Sequence, residues 1–145
     1  MVGLNNGTNM KLQNYTSFFH DGSIFEIAQH DNKMIIFMES AEMDEEDIID
    51  DAILTKFDRI RGKLHMEGIK HIKENGEPYL GVFKMKNQDA EIFHFAFSKN
   101  QIELQIIWNS LPPQMKEHFS TVEIEAEKIW WENIPDLSDS KEIKI

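Results

Sequence analysis

No cysteine occurs in the 145 residues, which removes disulfide frameworks, thiolate nucleophiles and thiolate zinc sites while leaving the compartment open. Cations are scarce as well: 15 Lys and Arg stand against 26 Asp and Glu, for a formal net charge of -11. A phosphate backbone rewards clustered Lys and Arg, so nucleic acid is not an expected partner. No apolar run reaches the ~18 residues of a membrane span, and no basic stretch precedes an apolar segment as in a secretory signal. A cytoplasmic protein with no membrane partner is expected. Also missing are a phosphate-binding loop, a dinucleotide glycine fingerprint, a nucleophile elbow and a zinc-protease HExxH. Those chemistries lose their usual sequence support, although a triad assembled from distant residues needs no local signature. No cofactor is implied.

What the chain has is alternation. Met1 to Asn9 offers little to bury and reads as a disordered tail, with Met10 fitting a start as well, and residues 10–145 read as one β-rich domain. In Gln101 to Trp108, Ile102, Leu104, Ile106 and Trp108 share one face while Gln101, Glu103 and Gln105 share the other, the pattern of a strand with one wet side. Phe93, Phe95 and Phe97 alternate with His94, Ala96 and Ser98, and Ser98-Lys99-Asn100 joins the two runs into a hairpin. A second hairpin is expected from Ile24–Gln29 and Met34–Ser40 around His30-Asp31-Asn32-Lys33, and a third from Leu64–Ile72 and Tyr79–Lys86 around Asn75-Gly76-Glu77-Pro78. Gly62, Gly68 and Gly81 are candidate bulges. Gln114 to Trp131 fits helical spacing at Met115, Phe119, Val122, Ala126 and Ile129. From Thr121 onward, however, Val122, Ile124 and Ala126 against Glu123, Glu125 and Glu127 make a better strand, and Pro112-Pro113 opens a helical turn before it. The expected fold is mainly β, an antiparallel sandwich or half-open barrel of about seven or eight strands.

One window breaks the alternation. Between Met34 and Thr55 there is no Lys, Arg or His, yet Glu39, Glu42, Asp44, Glu45, Glu46, Asp47, Asp50 and Asp51 all fall there. Either Asp44 caps a short helix through Glu45, Glu46 and Asp47, with Ile48, Ile49 and Ala52 turned inward, or the window is a long acidic loop. Calcium is the first ligand to weigh, since Asp44, Glu46, Asp47, Asp50 and Asp51 offer hard oxygens. The spacing is wrong for an EF-hand: no Gly stands at the sixth loop position, and Ile48 and Ile49 fall where ligands or turn residues belong. A solvated acidic face is the simpler account. Lys56, Arg59, Arg61, Lys63, Lys70 and Lys73 follow directly, and are expected to lie beside the window and offset it rather than to form a phosphate site.

Other groupings are weaker. Imidazoles and carboxylates at His20, Asp21, His65 and Glu67 are candidates for a metal site or for acid–base work in an undetected hydrolase, but nothing in their spacing makes them converge. Trp130 and Trp131 are neighbours, so in a strand they point to opposite faces and one is a candidate partner contact. Phe93, Phe95, Phe97 and Trp108 would line the interior of a small-ligand-binding domain, and fill a core equally well.

Phe18-Phe19-His20-Asp21-Gly22-Ser23-Ile24, an FHDG turn entering a strand, followed by a polar turn and an apolar strand ending near Glu39-Ser40, resembles small bacterial β-rich proteins of unknown function, some of which are regarded as immunity proteins that neutralise the toxin of a neighbouring gene. The resemblance covers roughly Phe18 to Ile72 and the terminal Trp-Glu region. It implies no catalytic residues, and the acidic window is longer than its pattern. It joins the charge argument in one expectation: an acidic binding module that docks on a basic protein through Glu42, Asp44, Glu45, Glu46, Asp47, Asp50 and Asp51, with Trp130 or Trp131 as a further contact. A small-ligand or metal-binding β domain and a hydrolase are the alternatives.

Overall fold

Among the described residues seven strands follow one another: β1 (Ser23–His30), β2 (Lys33–Glu39), β3 (Arg61–Glu74), β4 (Glu77–Pro78), β5 (Asp89–Ser98), β6 (Gln101–Asn109) and β7 (Glu117–Asn133). This is a computed structural model, and it describes residues 10–87, 89–109 and 117–136. The tail expected over 1–9 and the helical turn expected at Pro112-Pro113 lie outside the described residues. All strand pairs are antiparallel, in one sheet of order β2-β1-β5-β6-β7-β3-β4, and β2 also pairs with β3, so the strands run round a ring. The mainly β, antiparallel architecture is the one the alternation predicts.

The ring is held by its two longest strands. β3 pairs β2 along Arg61–Glu67, and β7 pairs β6 along Glu117–Glu125, while β3 and β7 pair with each other from Gly62 opposite Asn133 to Glu74 opposite Val122. Both change face near Gly68, which has φ +68° and sits against the Glu127 side chain. Before that point β3 buries Leu64 and Met66; beyond it the inward residues are Ile69 and Ile72, and in β7 they pass from Val122, Ile124 and Ala126 to Ile129 and Trp131. Gly68 therefore marks a corner, and the bulge itself, the slip in register between β3 and β7, comes just after it, between Ile69 and His71. Gly62 marks neither: its pairing is regular, and it is needed because a Cβ there would meet the Glu132 carbonyl at 2.0 Å.

Two readings need correction. Phe93 does not share a face with Phe95 and Phe97, because the register slips between Ile92 and His94. The extra residue moves the inward set from Ala90 and Ile92 to Phe95 and Phe97 and leaves Phe93 48% exposed. Tyr79–Lys86 is not a strand. Pairing stops after Glu77–Pro78, and Gly81 at φ +89° turns the chain so that Phe83 plunges into the ring, fully buried, with its ring 6.3 Å from that of Trp108. The rest of the core follows the alternation: Ile102, Leu104, Ile106 and Trp108 are all buried. Ser120 accepts the Trp108 indole N–H at 2.8 Å and donates to Glu74 at 2.6 Å, so the buried nitrogen is satisfied.

Candidate functional site

The acidic window folds as an irregular segment between β2 and β3, closed at its base where Ser40 N–H donates to the Ile60 carbonyl and Ser40 Oγ accepts the Ile60 N–H. One short 3-10 turn, Glu45–Asp47, opens with Asp44, whose side chain accepts the Asp47 N–H while the Asp47 carboxylate accepts the Asp44 N–H. This is a capping box with carboxylates at both positions, a natural use of acids at a helical start. Asp50 does something different. Its carboxylate accepts the Tyr15 hydroxyl at 2.5 Å, the Lys11 N–H at 3.0 Å and the Ala52 N–H at 3.0 Å, and the same Tyr15 oxygen accepts the Ile49 N–H at 3.2 Å. Tyr15 is fully buried. Burial, and then the bond to Asp50, push its pKa up.

Further ties fix the rest of the segment. Asn133 Nδ2 donates to the Ile53 carbonyl at 2.9 Å, and Met43 N–H donates to the Asp58 carbonyl at 2.8 Å. Thr55 Oγ1 accepts the N–H groups of Phe57 and Arg59, which holds Asp58 at φ +62°. Met43 and Ile60 are buried, and Ile48, Ala52 and Leu54 are half-buried against the core. The window is thus an ordered platform. Ile49, expected to turn inward, is 70% exposed, because the Tyr15–Asp50 contact fixes the backbone on either side of it; Ile53 and Phe57 are exposed too.

The seven predicted partner-binding carboxylates fall into groups. Asp44 and Asp47 form the cap and Asp50 the latch; Glu42, Glu45, Glu46 and Asp51 project outward. Two clefts flank the segment. The larger, about 450 Å³, is lined by Glu39, Glu42, Lys56, Phe57, Asp58, Arg59 and Arg61. Its charges meet internally: Glu39, nearly buried, takes Arg61 at 2.7 Å with Arg59 at 3.8 Å, and Lys56 lies 5.2 Å from the centre of the Phe57 ring. The basic stretch does offset the window here, through its first carboxylate, although Lys70 turns instead to Glu125 on β7. The smaller cleft, about 330 Å³, is lined by Glu45, Ile48, Ala52, Leu54, Thr55 and Asp58.

The remaining candidates are dispersed. Trp130 and Trp131 point to opposite faces, as strand geometry requires: Trp131 packs on the core beside Phe19, and Trp130 lies outside, stacked on His65 with ring centres 3.8 Å apart. His65 Nε2 is 2.8 Å from Glu132 rather than bonded to Glu67. Burial lowers the His65 pKa and Glu132 opposes that shift, burial prevailing. His20 lies against Asp21 at 3.7 Å and Nδ1 bonds the Phe93 carbonyl. Among the described residues no group of three or more His, Asp or Glu is placed to hold a metal ion. Sequence reasoning missed Tyr15, Ile53, Phe57 and Asp58. The one available signal was apolar residues inside a charged run that fit neither a strand nor a helix face. No protein-family model, curated protein or solved structure matches the chain. Among the described residues no helix is long and apolar enough to cross a membrane.

Proposed function

We propose that this protein is a binding module that docks on a basic protein partner through the platform between β2 and β3. One observation carries the reading. The platform is fixed by its own latch and cap, yet it leaves Ile49 and Ile53 exposed beside outward carboxylates, with Phe57 exposed next to them under Lys56. Apolar anchors supply contact area, and surrounding carboxylates steer a cationic partner and exclude acidic ones. Order in the free state lowers the entropy cost of docking. An immunity-type inhibitor, seated on a toxin surface that otherwise attracts phosphates, is the specific form this reading takes.

Affinity capture with the intact chain tests it. A variant carrying Glu42→Gln, Glu45→Gln and Glu46→Gln spares the cap and the latch. A basic protein held by the native chain should associate with the variant roughly tenfold more slowly at low salt, and the difference should shrink as salt rises. Equal association by both chains would overturn the proposal.

A further inference from the structure

We infer that the 330 Å³ cleft lined by Glu45, Ile48, Ala52, Leu54, Thr55 and Asp58 is the seat of one lysine or arginine side chain of the partner. This deepens the docking role proposed above and rests on it. The cavity and its floor make the argument, with the carboxylates as its second half. Ile48, Ala52 and Leu54 pack on the core from below, so the floor is aliphatic and backed by buried residues. Glu45 and Asp58 stand exposed at the rim, and among the described residues lining the cleft there is no Lys, Arg or His.

The complement of an aliphatic floor with an anionic rim is a long alkyl stem ending in a cation, the amphipathic build of Lys and Arg. Other occupants fit worse. An apolar side chain would desolvate the rim carboxylates with nothing to pair them, and an anion would be repelled. A small cation with no stem would leave the floor wet. The larger cleft makes a useful contrast. It mixes Glu39, Glu42 and Asp58 with Lys56, Arg59 and Arg61 and so offers no excess charge. The smaller cleft is also held in shape: Asp58 N–H donates to the Thr55 carbonyl at 2.9 Å, and the Ala52 N–H is held by Asp50 at 3.0 Å.

Methyl-resolved NMR titration of the whole protein tests this with three probes. They are n-butylammonium, which copies the lysine side chain; methylammonium, which keeps the charge and drops the stem; and valerate, which keeps the stem and reverses the charge. Saturable shifts at the Ile48, Ala52 and Leu54 methyls are expected with n-butylammonium, several-fold weaker ones with methylammonium, and none with valerate. Ala52→Leu, which fills the floor and keeps every charge, should weaken n-butylammonium binding several-fold. So should Glu45→Gln, and Asp58→Asn, which tolerates the left-handed backbone. An equal response to both cations, or undiminished binding by Ala52→Leu and Glu45→Gln, would overturn the inference. Partner capture separates it from the parent reading. If the Glu42, Glu45 and Glu46 triple variant loses the partner while Ala52→Leu keeps it, the cleft inference falls and docking stands. If both keep the partner, docking falls, and the n-butylammonium titration still decides the cleft.

Discussion

The segment before β3 (40–60) and the segment after β4 (79–87) are both irregular, and they leave opposite ends of the ring's long strand with opposite uses for their largest apolar residue, Phe57 outside and Phe83 inside. The first keeps Ile49, Ile53 and Phe57 outside and is held by polar contacts: Tyr15 on Asp50, Asn133 on the Ile53 carbonyl, and a carboxylate capping box. The second sends Phe83 into the ring against Tyr79 and Trp108, and adds only a few polar ties, among them the Phe83 N–H to Gln29 Oε1 at 2.7 Å and Lys86 to Glu74 at 3.1 Å. An irregular segment can be ordered by latches or by a plug. A latched segment can bury some apolar side chains, here Met43 and Ile60, and still keep others, Ile49 and Ile53, available to a partner, whereas a plug commits its largest one to stability.

The largest effect should come from pulling the plug. Phe83→Ala removes a fully buried ring from the centre of the aromatic cluster and should cost about 3–5 kcal/mol in chemical denaturation. Leu80→Ala, on the same segment but 88% exposed, should change stability by no more than ~0.5 kcal/mol. A Phe83→Ala cost near that of Leu80→Ala would mean the ring closes without its plug, and the contrast between the segments would dissolve.

Sequence alone announces neither use. Period-two alternation made the wet-faced strands legible, as in Ile102, Leu104, Ile106 and Trp108, and Asp31-Asn32 and Asn75-Gly76 marked turns because Asp31, Asn75 and Gly76 take positive φ there. Leu80, Val82 and Phe83 look like strand residues, and only the missing partner strand and the turn at Gly81 leave Leu80 and Val82 outside and make Phe83 a plug. The slip that expels Phe93 is set by its pairing with β6, and no residue near it records the extra position. Asp50 and Asp51 are chemically alike. What distinguishes Asp50 is Tyr15, 35 residues away, which nothing in the acidic window foretells. Long-range partners are where local reading ends.

A smaller, more specific effect should follow from opening the latch. Tyr15→Phe keeps the buried ring but removes the donor to Asp50 and the acceptor for the Ile49 N–H, at a cost of about 1–3 kcal/mol. Faster amide exchange at Ile49 and Ala52, with β6 unaffected, would place the loss in the platform. The pH dependence has a definite sign. The folded Tyr15 pKa lies above its unfolded value near 10, so its contribution is present below about pH 10 and is lost as pH rises through the folded pKa. Tyr15→Phe should flatten that alkaline decline. An unchanged alkaline limb would assign it to other groups.

The smallest effect is the one that separates display from support. Glu45 and Glu46 project from the platform and take no part in its cap, which belongs to Asp44 and Asp47. Exposed charges crowded with others of the same sign contribute little to folding and can oppose it. Glu45→Gln with Glu46→Gln should therefore shift stability by within ~0.5 kcal/mol, in either direction. Asp50→Asn should be plainly destabilising, because a side-chain nitrogen would replace an oxygen that accepts a hydrogen bond. If the Glu pair proved as costly as Asp50, those carboxylates would be supporting the fold, and their outward placement would no longer argue for a partner. If the cost stays negligible, the chain carries like charges on a fixed surface that folding does not require, which is the physical content of the docking proposal.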